Sequence, residues 1–185
     1  MSDTMTSTEK SDDLARVRAS DPVYGEILDF LIDEAALLDD DRHAERLGLM
    51  TEDVTYRMPV RKSLHRRDGR GFDDRNGHFD DDRLSLELRV RRSVEIPSAY
   101  DRDPAPRIRR LVTNLVVHAT GSEGEYRATS YILLLRNRFD ALNYDVLSAK
   151  REDVIRRTPD GLRLASRVIL VDQAILGAAY WNVFM

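Results

Sequence analysis

A chain of 185 residues with 42% hydrophobic content can bury one sizeable core and hardly two. Its formal charge of −4 argues against general nucleic-acid binding, which leaves a basic footprint. The absence of cysteine excludes disulfides, zinc-thiolate sites and thiol nucleophiles.

No apolar run approaches the ~20 residues needed to span a bilayer. Residues 1–9 lack the basic and apolar regions of a signal peptide, so the plain reading is a cytoplasmic protein. The basic charge is nearly all arginine, with lysine only at Lys10, Lys62 and Lys150. Arginine forms planar bidentate pairs with carboxylates and tolerates interfaces better than lysine does. Arginines set within strand patterns therefore predict ion pairs between elements or between subunits.

Residues 1–20 are polar and lack periodicity apart from a short patch at 14–17, which predicts a mobile tail ahead of one domain over 21–185. Asp21-Pro22 is a helix start, with Asp as N-cap and Pro at the first helical position. Tyr24, Ile27, Leu28, Leu31, Ala35 and Leu38 recur at three-to-four spacing, so an amphipathic helix covers 22–39. Asp39-Asp40-Asp41 breaks it, and a second, short helix runs from Arg42 to about Gly48. Val54 to Val60 alternates like a strand, and Pro59 limits that strand to an edge or a strand end. From Asp68 through Gly77 the chain reads as a polar, glycine-punctuated loop. Residues 80–93 fit both a strand and a helix. The acidic opening Asp80-Asp81-Asp82 and the basic ending Arg89, Arg91, Arg92 match the helix dipole and decide for helix. Residues 97–106 form a proline-rich rigid connector.

The stretch 107–118 follows, dense in β-branched and aliphatic residues. One face carries Ile108, Arg110, Val112, Asn114 and Val116, and the other carries Arg109, Leu111, Thr113, Leu115 and Val117. Both become apolar toward the far end, which predicts a strand covered on both sides. Further strands are expected over 125–139, 144–157 and 162–176. Pro159-Asp160-Gly161 is the hairpin turn between the last two. Helices followed by long antiparallel strands mean an α+β fold, and strands of this length must twist and curl around the helices. The expected shape is a cone with a concave inner face.

An ordered series of segments resembles a known family. It comprises Glu34-Ala35-Ala36-Leu37-Leu38-Asp39 with Arg42, then Glu52-Asp53-Val54-Thr55-Tyr56-Arg57-Met58-Pro59-Val60-Arg61, and Phe79-Asp80-Asp81 leading into Leu88-Arg89-Val90. Pro106-Arg107-Ile108-Arg109-Arg110-Leu111-Val112-Thr113-Asn114 and Ser130-Tyr131-Ile132-Leu133-Leu134-Leu135-Arg136 follow. Arg167-Val168-Ile169-Leu170-Val171-Asp172-Gln173 and the ending Asn182-Val183-Phe184-Met185 complete it. The series, spanning about residues 22–185, resembles the small (β) subunit of aromatic-ring-hydroxylating dioxygenases. Two departures concern subfamily: Glu45-Arg46-Leu47 stands where the family more often has a large residue such as Trp. Lys150 to Arg156 replaces a usual Arg-x-Asp-x-Leu-Arg pattern.

The resemblance implies a cystatin-like cone of the scytalone dehydratase and ketosteroid isomerase type. It also implies a hexamer of three large and three small subunits. The Rieske [2Fe-2S] cluster, the mononuclear Fe(II) and the substrate pocket are then expected on the large (α) subunit. The small subunit is expected to be structural, within an assembly that dihydroxylates an aromatic ring at the expense of NAD(P)H.

The residues themselves bear on this. A Rieske centre needs two cysteines with two histidines, so this chain holds none. His78-Phe79-Asp80 with His118 is formally the two-histidine-one-carboxylate set. The plainer reading is a surface histidine and an aspartate capping the following helix, and no catalytic, cofactor or metal residue is assigned. Arg107, Arg109, Arg110, Arg136 and Arg167 with Trp181 and Phe184 are the expected subunit-interface residues. The alternative is a stand-alone dehydratase, isomerase or cyclase with a pocket inside the cone, for which Tyr56, Asn114 and Tyr131 would line the cavity.

Overall fold

The computed structural model describes residues 14–65, 71–95, 106–176 and 184–185. Helix α1 spans Pro22–Asp39 and starts as its sequence dictates, the Asp21 carboxylate accepting from the Val23 N–H at 3.0 Å with Pro22 next in line. Its stripe Ile27, Phe30, Leu31, Ala35 and Leu38 is buried, and Glu34 lies on the same stripe. Helix α2 is the short His43–Leu47. Helix α3, Arg83–Glu95, resolves the ambiguous segment in favour of helix. Its opening turn is bound by Asp82, which accepts from the Ser85 N–H at 2.8 Å. Asp80, the expected cap, lies instead in a strand.

Among the described residues seven strands form one sheet: β1 Arg16–Val17, β2 Met50–Arg61, β3 Phe72–Asp81, β4 Arg107–Ala119, β5 Glu125–Asn137, β6 Asp145–Thr158 and β7 Gly161–Val171. Their order is β1-β4-β5-β6-β7-β2-β3, antiparallel throughout except for the β2–β7 pair. The fold is the cone expected, helices packed on a curled, mostly antiparallel sheet. Ile132 and Leu134 of β5, Leu147 and Ile155 of β6, and Ile169 and Val171 of β7 meet α1 across the core.

Four expectations need correction. Residues 72–77, read as loop, belong to β3: this edge strand carries only Phe72 and Phe79 as large apolar residues, so no alternation marks it. Strand β2 is an interior strand, between β3 and β7. Pro59 is tolerated because the β7 pairing ends at Arg57↔Val168 and the β3 register shifts on both sides of Pro59. Within the expected tail, Arg16 and Val17 pair with His118 and Val117. Residues 1–13, most of the 97–106 connector and Trp181 lie outside the described residues.

The fourth correction concerns β4. Its two apolar faces do not mean that it is covered on both sides. Thr113↔Tyr131 is followed by Val116↔Thr129, so Asn114 and Leu115 together oppose Ser130, and Asn114 takes φ 53°. This is a bulge, and it exchanges the faces: Arg110 points inward before it, Leu115 and Val117 after it. The Tyr24 hydroxyl donates to the Leu115 carbonyl at 3.1 Å, so α1 supplies the partner there. Asn is among the few side chains that enter the left-handed region readily. Asn114→Val should therefore destabilise the chain by about 1–2 kcal/mol, whereas Asn114→Gly should leave the urea midpoint nearly unchanged.

Candidate functional site

Alternation along β6 brings Leu147, Ala149, Arg151, Asp153 and Ile155 to the inner face, so a guanidinium and a carboxylate sit in the middle of an otherwise apolar row. Arg167 enters from β7, Tyr56 from β2, Glu34 from α1 and Arg46 from α2, all essentially without solvent exposure. Glu34 Oε1 accepts from Arg46 Nε at 2.9 Å and from Arg167 Nη1 at 2.8 Å. Arg167 also makes a bidentate pair with Asp153, both contacts 2.8 Å, the planar arrangement that suits a guanidinium. Arg151 donates from Nε to Ser130 Oγ at 3.1 Å, and its Nη1 lies 3.8 Å from Glu34 Oε2.

Burial by itself would push the Glu34 carboxyl up. Arg167, Arg46 and Arg151 outweigh it and hold the group at about 2. Burial lowers the Arg151 guanidinium to about 10, helped by the neighbouring Arg167. Arg167 goes the other way, well above its ordinary value, because Asp153 and Glu34 more than offset its burial. A general base for work near neutral pH needs a pKa near the operating range. Glu34 is held far below that range, committed to arginines as a fixed anion.

Residues 184 and 185 lie against this network, buried beneath the helices. The Tyr56 hydroxyl donates to the Met185 carbonyl and accepts from the Met185 N–H, the latter at 2.9 Å. Arg167 Nη1 reaches the same carbonyl at 2.9 Å. Arg110 Nη2 and Nε donate to the Phe184 carbonyl at 2.8 and 3.1 Å, and Arg110 Nη1 pairs with Asp39 at 2.6 Å, tying β4 to the end of α1.

The expected interface residues thus divide. Arg110, Arg167 and Phe184 are interior groups with partners in this chain. Arg107, Arg109 and Arg136 remain nearer the surface: Arg107 donates to Asn137 and the Phe139 carbonyl, Arg109 to the Ile108 carbonyl, and Arg136 pairs with Asp145 at 2.9 Å. Tyr56, Asn114 and Tyr131 do not come together, since Tyr56 is fully buried while Asn114 and Tyr131 sit on the exposed side of the sheet. His78 and Asp80 lie on edge strand β3 and His118 on β4, with four strands between, so they cannot share an iron ion. Among the described residues no group of three or more histidine or acidic side chains could hold a metal. No helix among them is long and apolar enough to cross a membrane.

The outer face of β4–β6 is the second notable surface. Leu111 opposes Leu133, Leu135 opposes Val146, and Tyr131 lies between Thr113 and Lys150. Leu111, Val146 and Tyr131 are 49%, 46% and 45% exposed, a contiguous apolar stripe bordered by Arg109 and Lys150. The sequence carried a signal for the interior network that composition hid: Glu34 falls on the Ile27–Leu31–Leu38 stripe, and Arg151 and Asp153 fall in the Leu147–Ile155 alternation.

The same architecture occurs in solved structures. A naphthalene 1,2-dioxygenase structure with indole bound in the active site contains a chain that superposes with a TM-score of 0.79 at 22% identity, covering 92% of this chain and 90% of that one. A scytalone-dehydratase-type protein from Novosphingobium aromaticivorans superposes at 0.62 with 12% identity, over 86% and 90%. These place the fold in the cystatin-like cone class. Sequence narrows it further. The benzene 1,2-dioxygenase subunit beta of Pseudomonas putida F1 is 33% identical over 164 residues, 86% of this chain and 87% of that protein. Residues 33–178 match the model of the ring hydroxylating beta subunit family, and the chain belongs to that family.

Proposed function

We propose that this chain is the structural β subunit of a multicomponent aromatic-ring-hydroxylating dioxygenase. It supports a catalytic α subunit that carries the Rieske cluster and the mononuclear iron, in a hexamer of three large and three small subunits. The observation that carries this reading is the contrast between the two sides of the sheet. Inside, Glu34 and Asp153 pair with arginines of the same chain. Outside, Leu111, Tyr131 and Val146 present apolar surface with no cover among the described residues. Surface of this kind, rimmed by polar side chains, is what a neighbouring subunit covers. Arg109 on its border favours a partner bearing carboxylates, while Lys150 is paired with Glu152 at 2.7 Å.

Co-expression with a candidate large subunit, followed by native mass spectrometry, tests the assembly. The expected species contains three copies of each chain, and ring dihydroxylation requires both. A β chain that stays monomeric beside a fully active large subunit contradicts it.

A further inference from the structure

Two charged surfaces of opposite sign have no ion-pair partners among the described residues. On the outer face of the sheet Arg16 of β1 pairs in register with His118 of β4, and His118 with Arg127 of β5. A basic row therefore crosses three strands at one end of the apolar stripe. Arg109 stands at the other end, its guanidinium reaching only the Ile108 carbonyl. Tyr131 and Leu111 lie between the two ends, and none of Arg16, Arg109 and Arg127 meets a carboxylate among the described residues. Helix α1 presents the counterpart. Opposite its buried stripe, Asp29, Ile32, Asp33, Ala36 and the C-cap Asp40 are exposed along one face. That face is acidic at both ends and apolar in the middle, where Ile32 is 49% exposed. Its three carboxylates have no ion-pair partner among the described residues. Asp29 to Asp40 covers about 17 Å of helix, and Arg127 to Leu133 about 20 Å of strand. The two stripes match in length and in order of charge.

A ring of three copies cannot be built from one self-complementary patch. Its contacts are heterologous and need two different surfaces that fit each other. We propose that the outer face of β4–β5 in one copy receives the exposed stripe of α1 from a second copy. Repeated head to tail, this contact builds the three-membered ring of small subunits, and to that extent it rests on the proposed hexamer. Asp29 and Asp33 meet Arg127 and Arg16, and Asp40 meets Arg109. Ile32 and Ala36 cover Tyr131 and Leu111. Complementary potentials of this kind fix the register of a contact and suppress wrong partners.

Sedimentation velocity of the full chain tests the contact. The unaltered chain should associate to a three-copy species that weakens as salt is raised. Asp29→Arg with Asp33→Arg, and separately Arg109→Glu with Arg127→Glu, should each weaken that association by about 30-fold or more. The four changes combined swap the signs and keep the pairing, so association should return to within about threefold of the parent. All four positions are exposed, and melting temperatures should stay near that of the parent. Should a reversal pair fail to fold, Asp29→Asn with Asp33→Asn reads the same contact, with a weakening of about threefold or more. A monomeric parent, growth past three copies into open chains, or reversals without effect overturns the proposal. So does a combined variant no better than either pair. Binding of a candidate large subunit is measured alongside. Reversals that weaken only that binding assign the two stripes to the large subunit and overturn the contact. A chain that forms the ring yet binds no large subunit supports the contact and contradicts the supporting role.

Discussion

Glu34→Gln is expected to lower the stability of the folded chain by about 3 kcal/mol at neutral pH, although Gln has the same shape. The carboxyl is held near 2 against an ordinary value of 4.5, and a shift of that size corresponds to about 3 kcal/mol. The folded-state value is depressed, so the stabilisation is fully present above about pH 4.5 and is lost as the pH falls toward 2. Urea midpoints for the two proteins should differ most at neutral pH and converge through that window. The loss is large because one oxygen of Glu34 serves both Arg46 and Arg167, and the other is the nearest carboxylate oxygen to Arg151 Nη1 among the contacts formed. Removing the charge leaves three buried cations facing the single carboxylate of Asp153. A variant as stable as the parent at pH 7 would mean that the cost of burying Glu34 cancels its pairing. The network would then contribute specificity and no stability.

The second large effect concerns the outer face. Leu111→Glu combined with Val146→Glu places two carboxylates on the stripe formed by Leu111, Leu133, Leu135 and Val146. Both positions are about half exposed in the single chain, so the isolated subunit should keep its melting temperature within a few degrees. Desolvating unpaired carboxylates in a subunit contact is costly, and association should weaken by about 100-fold or more. Analytical ultracentrifugation of the co-expressed chains reads this directly. A mixture that still sediments as the full complex removes this face from the assembly surface.

The sequence made the helices and the hairpin array legible, since each rests on local signals. Asp21-Pro22 and the Ile27–Leu38 spacing placed α1 to the residue, and the Pro159-Asp160-Gly161 turn placed the β6–β7 hairpin. What stayed hidden depends on long-range pairing. Strand β3 is an edge strand with two large apolar residues, held by its pairing with β2. The parallel β2–β7 pair joins residues more than a hundred positions apart, and no local pattern announces it. The bulge at Asn114 turned one alternation into two half-patterns that together resembled a doubly covered strand. The strand arginines are expected to form ion pairs between elements or between subunits, and the pattern alone does not say which. Arg110 and Arg167 are interior because Asp39, Glu34, Asp153 and two backbone carbonyls supply their acceptors. The family itself was legible, because its ordered segments survive these local misreadings.

The most direct test of a supporting, non-catalytic role is turnover per assembled complex with Tyr56→Phe in this subunit. Tyr56 is the buried hydroxyl at the centre of the cone, in place to act as an acid if the interior carried chemistry. With assembly matched by native mass, turnover should stay within about twofold of the parent, a change of less than about 0.5 kcal/mol in the barrier. A fall of about tenfold or more at unchanged assembly, equivalent to about 1.4 kcal/mol, would put catalysis inside the cone and contradict the structural role.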